Sequence, residues 1–198
     1  MTHFSRRTKI LVAFLVVLFG GTVVTYLAGR ANGRIPSEFT ESRLQGALIA
    51  QNIVKLSNES VRDLETIGKL DRERNYDEAL NIAVLAVVRS QKIRSEAIKL
   101  SEELEKMTRA LSGIDSQEAR QAAYESISAR LALLSRLINY SGYLGEILDA
   151  LKGRFTGKIP PTDLTPLVGQ INLEIAAIND LNRRASEAMD RFDDIVRQ

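Results

Sequence analysis

Catalysis and metal binding need side chains that move protons, attack electrophiles or donate lone pairs, and this chain offers few of them in useful places. It has no cysteine, and His3 is its single histidine. A disulfide framework is excluded, and so are Cys-rich and multi-His metal sites. A di-metal helical bundle needs inward carboxylates with Glu-x-x-His pairs, and no histidine follows His3 to supply one. Gly153-Arg-Phe-Thr-Gly157-Lys158 has the outline of a phosphate-binding loop but is one residue short, and Ile159 stands where the hydroxyl residue belongs. It also follows a helical pattern rather than a strand, so the backbone cradle for phosphate is missing. Serines are plentiful, but none has a histidine or a coherent lysine partner to activate it. The expectation is a protein that is not an enzyme and carries no cofactor or metal.

The remaining polar residues of interest sit inside apolar repeats. Counting along the helices set out below places Ser57, Ser90 and Ser141 in neighbouring layers, with Arg130 and Asn182 forming a second level closer to the N-terminal end. One reading is a polar pocket between helices that takes a small ligand. The other is packing: serine permits close approach, asparagine sets register, and Arg130 reaches outward to water.

The elements that position these residues follow from periodicity and punctuation. The chain has 198 residues, 44% hydrophobic and 26% charged, a globular balance. Residues 10–29, from Ile10 to Gly29, form twenty consecutive uncharged positions. As a helix they would cover ~30 Å, the thickness of a bilayer core. This stretch is longer than the hydrophobic region of a cleaved leader, so a retained transmembrane anchor is expected. Arg6, Arg7 and Lys9 precede it on a short flank, which favours residues 1–9 in the cytoplasm and the rest outside, at a bacterial inner membrane. Removing those three from the 27 bases leaves 24 against 25 acids, so the remainder has no basic footprint for nucleic acid. Gly21, Thr25 and Gly29 recur every fourth residue, a spacing that lets two membrane helices pack closely.

After a linker at 30–36, four long helices are expected over 37–198. The first starts near Ser37 and ends near Arg72. Asn75 to Glu78 has the pattern of a capping box opening the second, which stops at Ser112-Gly113 with the glycine in a left-handed conformation. Asp115 to Glu118 repeats the box for the third, which ends at Lys152-Gly153. The fourth opens near Asp163 or Thr165, with Pro166 in its first turn. Within the second, Ala79, Ala83, Ala86, Ser90, Ile93, Ala97, Leu100, Leu104, Met107 and Leu111 keep an unbroken 4-3 spacing, and the third and fourth carry similar seams. Such a 3.5-residue repeat packs as a coiled-coil-like bundle, and short turns make it antiparallel, up-down-up-down. The fold class is therefore all-α.

The first helix has two apolar stripes rather than one. Ala47, Ala50, Val54, Val61 and Leu64 make the first; Ile49, Ile53, Leu56, Ile67 and Leu70 make the second. A bundle satisfies only one face, so Ile49, Ile53 and Leu56 are candidate contacts with a second copy or a protein partner. Val84, Leu85 and Val88 lie off the second seam and are candidates too, as are Phe155 and Ile159 at the distal tip.

An anchor followed by a four-helix domain resembles the ligand-sensing part of bacterial chemoreceptors, over roughly residues 6–198 and in architecture alone. The resemblance implies an extracytoplasmic small-ligand sensor. Those receptors return through the membrane after the fourth helix, whereas Asp190 to Gln198 is polar, so such a sensor would act through a partner subunit. The residue pattern itself favours an anchored interaction or scaffold module, with the bilayer and a protein as partners and a small-molecule ligand left open.

Overall fold

Proline has a fixed φ and no N–H to leave unpaired, so it starts a helix without loss. Pro36 does so here. A computed structural model of the chain describes residues 35–158 and 163–197. Four long helices appear in it: α1 (Ser37–Arg72), α2 (Tyr76–Ala110), α3 (Gln117–Phe155) and α4 (Thr165–Arg197). A short 3-10 turn, Leu111–Gly113, follows α2, and there is no strand among the described residues. The expected span at Ile10–Gly29, including Gly21, Thr25 and Gly29, lies outside the described residues, as do Ile159 and most of the 30–36 linker. Among the described residues, no helix is long and apolar enough to cross a membrane.

The helix ends differ from the expected capping chemistry in instructive ways. Asn75 precedes α2, but its side chain caps no backbone N–H; its Nδ2 donates to Glu78 Oε2 at 2.7 Å instead. The cap of α3 is Ser116 rather than Asp115, its hydroxyl accepting from Ala119 N–H at 3.2 Å. Gly113 does not take a positive φ. A Cβ there would lie 2.7 Å from Pro36 Cγ, so the close approach of Pro36 at the head of α1 requires glycine. Helix α3 runs past Lys152-Gly153 to Phe155, and Gly157 (φ 68°) ends it. There Lys158 N–H donates to Gly153 O at 2.9 Å and Gly157 N–H to Arg154 O at 3.1 Å, the paired bonds of a Schellman turn. Helix α4 opens as expected, with Asp163 Oδ1 accepting from Thr165 N–H at 2.9 Å.

Cross-helix contacts show that successive helices run antiparallel. Ser90 meets Ser141 between α2 and α3, and Ser126 meets Ala185 between α3 and α4. At the distal end Asp71 pairs with Arg154, and Tyr76 stacks on Phe155 with centroids 5.7 Å apart. At the opposite end Arg43 pairs with Asp193.

Nine of the ten seam positions named above for α2 are buried; Leu111 falls in the 3-10 turn after α2 and is half-buried against the core. Helix α1 departs from both expected stripes. Its buried edge is Phe39, Ser42, Gly46, Ala50, Ile53, Val54, Ser57, Ser60, Ile67 and Leu70, which draws on each stripe and on small residues between them. Hydrophobicity alone conceals this edge, because glycine and serine do not register as apolar. The reason for them is clearance: a Cβ on Gly46 would sit 3.3 Å from Leu100 Cδ1. Ile53, expected as an outward contact, is thus a core residue, and Ile49 and Leu56 pack half-buried against the core.

The α1–α2 turn stores a local strain. Arg74 holds φ at 59°, while Asn75 N–H donates to Leu70 O at 2.9 Å and Arg74 N–H to Asp71 O at 3.2 Å. This is again a Schellman turn, here with a side chain in the left-handed position, at a cost of about 1–2 kcal/mol that glycine avoids. Arg74→Gly should raise unfolding stability by about 0.5–1 kcal/mol after the entropy of glycine in the unfolded chain is deducted. Urea titration checks this, and Arg74→Ala should leave the midpoint nearly unchanged.

Candidate functional site

The three serines separate into two environments. Ser90 Oγ donates to Ser141 O at 3.0 Å, and Ser141 Oγ donates to Ser90 O at 2.9 Å. The two hydroxyls therefore clasp α2 to α3, and their hydrogen-bonding capacity is used by the backbone rather than offered to a ligand. Ser57 lines an apolar cavity to which Ser90 and Ser141 do not contribute. The polar pocket expected from a Ser57/Ser90/Ser141 layer does not form, since two of its members satisfy each other.

The cavity takes its walls from all four helices. Ala50, Ile53, Val54, Ser57 and Val61 of α1 face Ile175 and Ile178 of α4, with Leu133, Leu137 and Tyr140 of α3 and Leu100 of α2 behind them. It is partly open to solvent and holds about 30 Å³. Polar partners are too few to hold an ordered water in so apolar a space. An empty space of about 30 Å³ costs only about 0.7 kcal/mol at ~24 cal/mol per Å³, so the bundle tolerates it. Burial pushes the Tyr140 phenol up to about 12, because the low-dielectric wall disfavours the anion.

Arg130 and Asn182 share a level, as expected. The Ser126–Ala185 bond (2.8 Å) sets the register, and four residues further along α3 Arg130 reaches the turn of α4 that carries Asn182. Arg130 keeps part of its side chain at the surface, while its Nε is enclosed without a hydrogen-bond partner. Burial first, and then the nearby positive charge of Arg43, pull its pKa down to about 10. It remains cationic at neutral pH. Asn182 is buried, and its Nδ2 also lacks a partner.

Arg43 is the more constrained of the two arginines. Its Nη1 and Nη2 donate to the two carboxylate oxygens of Asp193 at 2.6 and 2.7 Å, and its guanidinium lies 6.0 Å from the Phe192 ring centre. Phe192 in turn packs on Phe39 at 5.2 Å. This group joins the start of the described helices to their end. Periodicity did not single it out, because Arg43 and Asp193 flank the seams rather than occupy them.

Glu174 is a second residue that sequence reading passes over. It is 6% exposed, with Oε1 accepting from Asn139 Nδ2 at 3.4 Å and lying 3.6 Å from Arg136 Nη1. Its Oε2 is enclosed without a partner. Only the α3–α4 register brings these residues together, so no local signal could reveal them. Among the described residues, no group of three or more His, Cys, Asp or Glu is placed to hold a metal ion.

The surface candidates divide as well. Val84, Leu85 and Val88 remain exposed at 43%, 59% and 46%. They form one apolar patch on the outward side of α2. Phe155, expected as a free tip contact, instead stacks on Tyr76 and packs against the core. No family model matches the chain, and neither a curated protein nor a solved structure matches it.

Two measurements test this geometry. Arg43→Ala leaves the largely buried Asp193 carboxylate unpaired and should cost about 2 kcal/mol in urea unfolding. Arg43→Lys should recover less than half, because an ammonium cannot make the two-pronged contact. For Tyr140, a folded-state pKa above the unfolded value means its contribution is intact below pH 10 and is lost as pH rises toward about 12. At ~1.4 kcal/mol per unit, the wild type should lose about 3 kcal/mol more than Tyr140→Phe across that window.

Proposed function

We propose that the chain is a single-pass, membrane-tethered helical bundle that presents an apolar patch to a protein partner in the cell envelope. The observation that carries this reading is the Val84/Leu85/Val88 patch. These side chains stay in water although the seam of α2 is already complete, and contiguous exposed apolar residues mark interaction surfaces. The tether rests on the uncharged stretch Ile10–Gly29, and the basic residues ahead of it favour a cytoplasmic N-terminus with the bundle outside.

A second reading, an extracytoplasmic sensor acting through a partner subunit, is favoured by the apolar cavity between α1 and α4. It requires that cavity to take a ligand.

The tether and the patch can be tested in the same cells. The full chain should sediment with membranes and resist alkaline carbonate extraction, and a version starting at Ile35 should stay in the supernatant. A photo-crosslinking residue at Leu85 should yield a discrete protein adduct that is missing when the probe is placed at exposed Asp190. Extraction of the full chain by carbonate would remove the tether. Identical adduct patterns at both positions would remove the patch.

A further inference from the structure

We infer that α3 pairs antiparallel with α3 of a second copy of this chain, along the solvent side of the helix from Tyr124 to Gly142. A helix on the surface of a bundle ordinarily turns charge to water. Here Tyr124, Ser128, Leu131, Ser135, Ile138 and Gly142 follow one another at alternating spacings of four and three, and none is charged. Tyr124, Leu131 and Ile138 are 53%, 43% and 39% exposed, and the two serines are exposed with them. This is a second coiled-coil seam on a helix whose first is already filled by the core.

The glycines are an independent observation. Gly142 and Gly145 lie well inside a 39-residue helix, where glycine is destabilising relative to alanine. A Cβ at Gly145 would meet nothing within 4 Å, and one at Gly142 would meet only Arg94 Nη2 at 3.8 Å, an ordinary contact. Packing within the chain therefore requires neither glycine. A helix that approaches the α3 backbone from outside supplies the missing reason.

The order of sizes selects both the occupant and its direction. Tyr124, Leu131 and Ile138 hold every second place on the seam, with Ser128, Ser135 and Gly142 between them. In a parallel pair each residue meets its own counterpart, so tyrosine crowds tyrosine while glycine faces glycine across a gap. Reversing one copy sets Tyr124 against the partner's Gly142, Ile138 against the partner's Ser128 and Leu131 against the partner's Ser135. Every layer then joins a large side chain to a small one, around a two-fold axis near Leu133. Such self-complementarity is what an isologous contact between identical chains needs. On the flank, Ala132 meets the partner's Ala132, and Glu125 comes beside the partner's Asn139, so no like charges oppose. The strip is about 27 Å long and ~10 Å wide, a modest interface suited to reversible pairing. The starts of α1 leave this dimer at opposite ends, so bundles tethered through Ile10–Gly29 would lie lengthwise along the membrane.

This inference is independent of the Val84/Leu85/Val88 patch, and the closing experiment separates them. The chain has no cysteine, so introduced thiols report on pairing without background. Full-length Ser128→Cys/Ile138→Cys protein, solubilised from membranes in mild detergent, is treated with a short bis-maleimide and run on a denaturing gel. In the antiparallel pair the first thiol of each copy falls beside the second thiol of the other. Within one chain the two are about 15 Å apart, and each is about as far from its own counterpart across the axis. The expected result is a dimer adduct from the double variant and about tenfold less from either single variant. Adding Leu131→Glu should cut the adduct about tenfold with helicity retained by circular dichroism. Adding Gly142→Leu, which favours the helix but fills the space for the partner's Tyr124, should do the same. Adding Leu85→Ser should leave the adduct unchanged. The pairing is overturned by no adduct from the double variant, or by equal adduct from a single variant, as a parallel pair or random collision gives. An adduct that survives Leu131→Glu or Gly142→Leu, or that is lost in Leu85→Ser, overturns it too.

Discussion

No turn connects α1 to α4, so side chains alone must close the bundle along that edge, and the other features of the structure depend on how they do it. Three edges are held by hairpin-like connections that limit how far neighbouring helices can separate. The fourth has only packing and a few polar contacts. Phe39 and Phe192 supply dispersion and burial, and the Arg43–Asp193 pair adds direction at the same end. Beyond that end, the edge is apolar and incompletely filled.

Small residues explain why the closure is uneven. Gly46, Ala50, Ser57 and Ser60 keep the inner edge of α1 low, which lets α2 approach closely, as the Gly46–Leu100 distance shows. The same low profile leaves space on the α4 side, where Ile175 and Ile178 do not reach across. Close packing of one pair and slack in another are thus consequences of one set of residues. Polar groups inside the bundle follow the same economy. Ser90 and Ser141 satisfy each other's backbone carbonyls and so bind two helices without requiring water. Glu174, Asn182 and Arg130 each retain an enclosed atom with no partner, which marks the α3–α4 side as the place where packing outweighed polar satisfaction.

A patch such as Val84/Leu85/Val88 works best on a stiff support, and α2, gripped by α1 on one side and α3 on the other, provides one.

The sequence by itself determined the all-helical architecture, the boundaries of the four helices to within a few residues, nearly every buried position of α2, and most of those of α4. A strict 4-3 alternation of apolar side chains admits only one rotational setting of a helix against its neighbours, so those faces were legible. It could not reveal the inner edge of α1, since glycine and serine are chosen there for size and leave no hydrophobic signal. Tertiary structure decided that Ile53 turns inward, that Ser90 and Ser141 pair with each other while Ser57 lines the cavity, and that Glu174 meets Arg136. It also decided that a void opens between the first and last helices. Each of these depends on the register between segments far apart in the chain. Register is a property of how whole faces interdigitate, and no local run of residues encodes it.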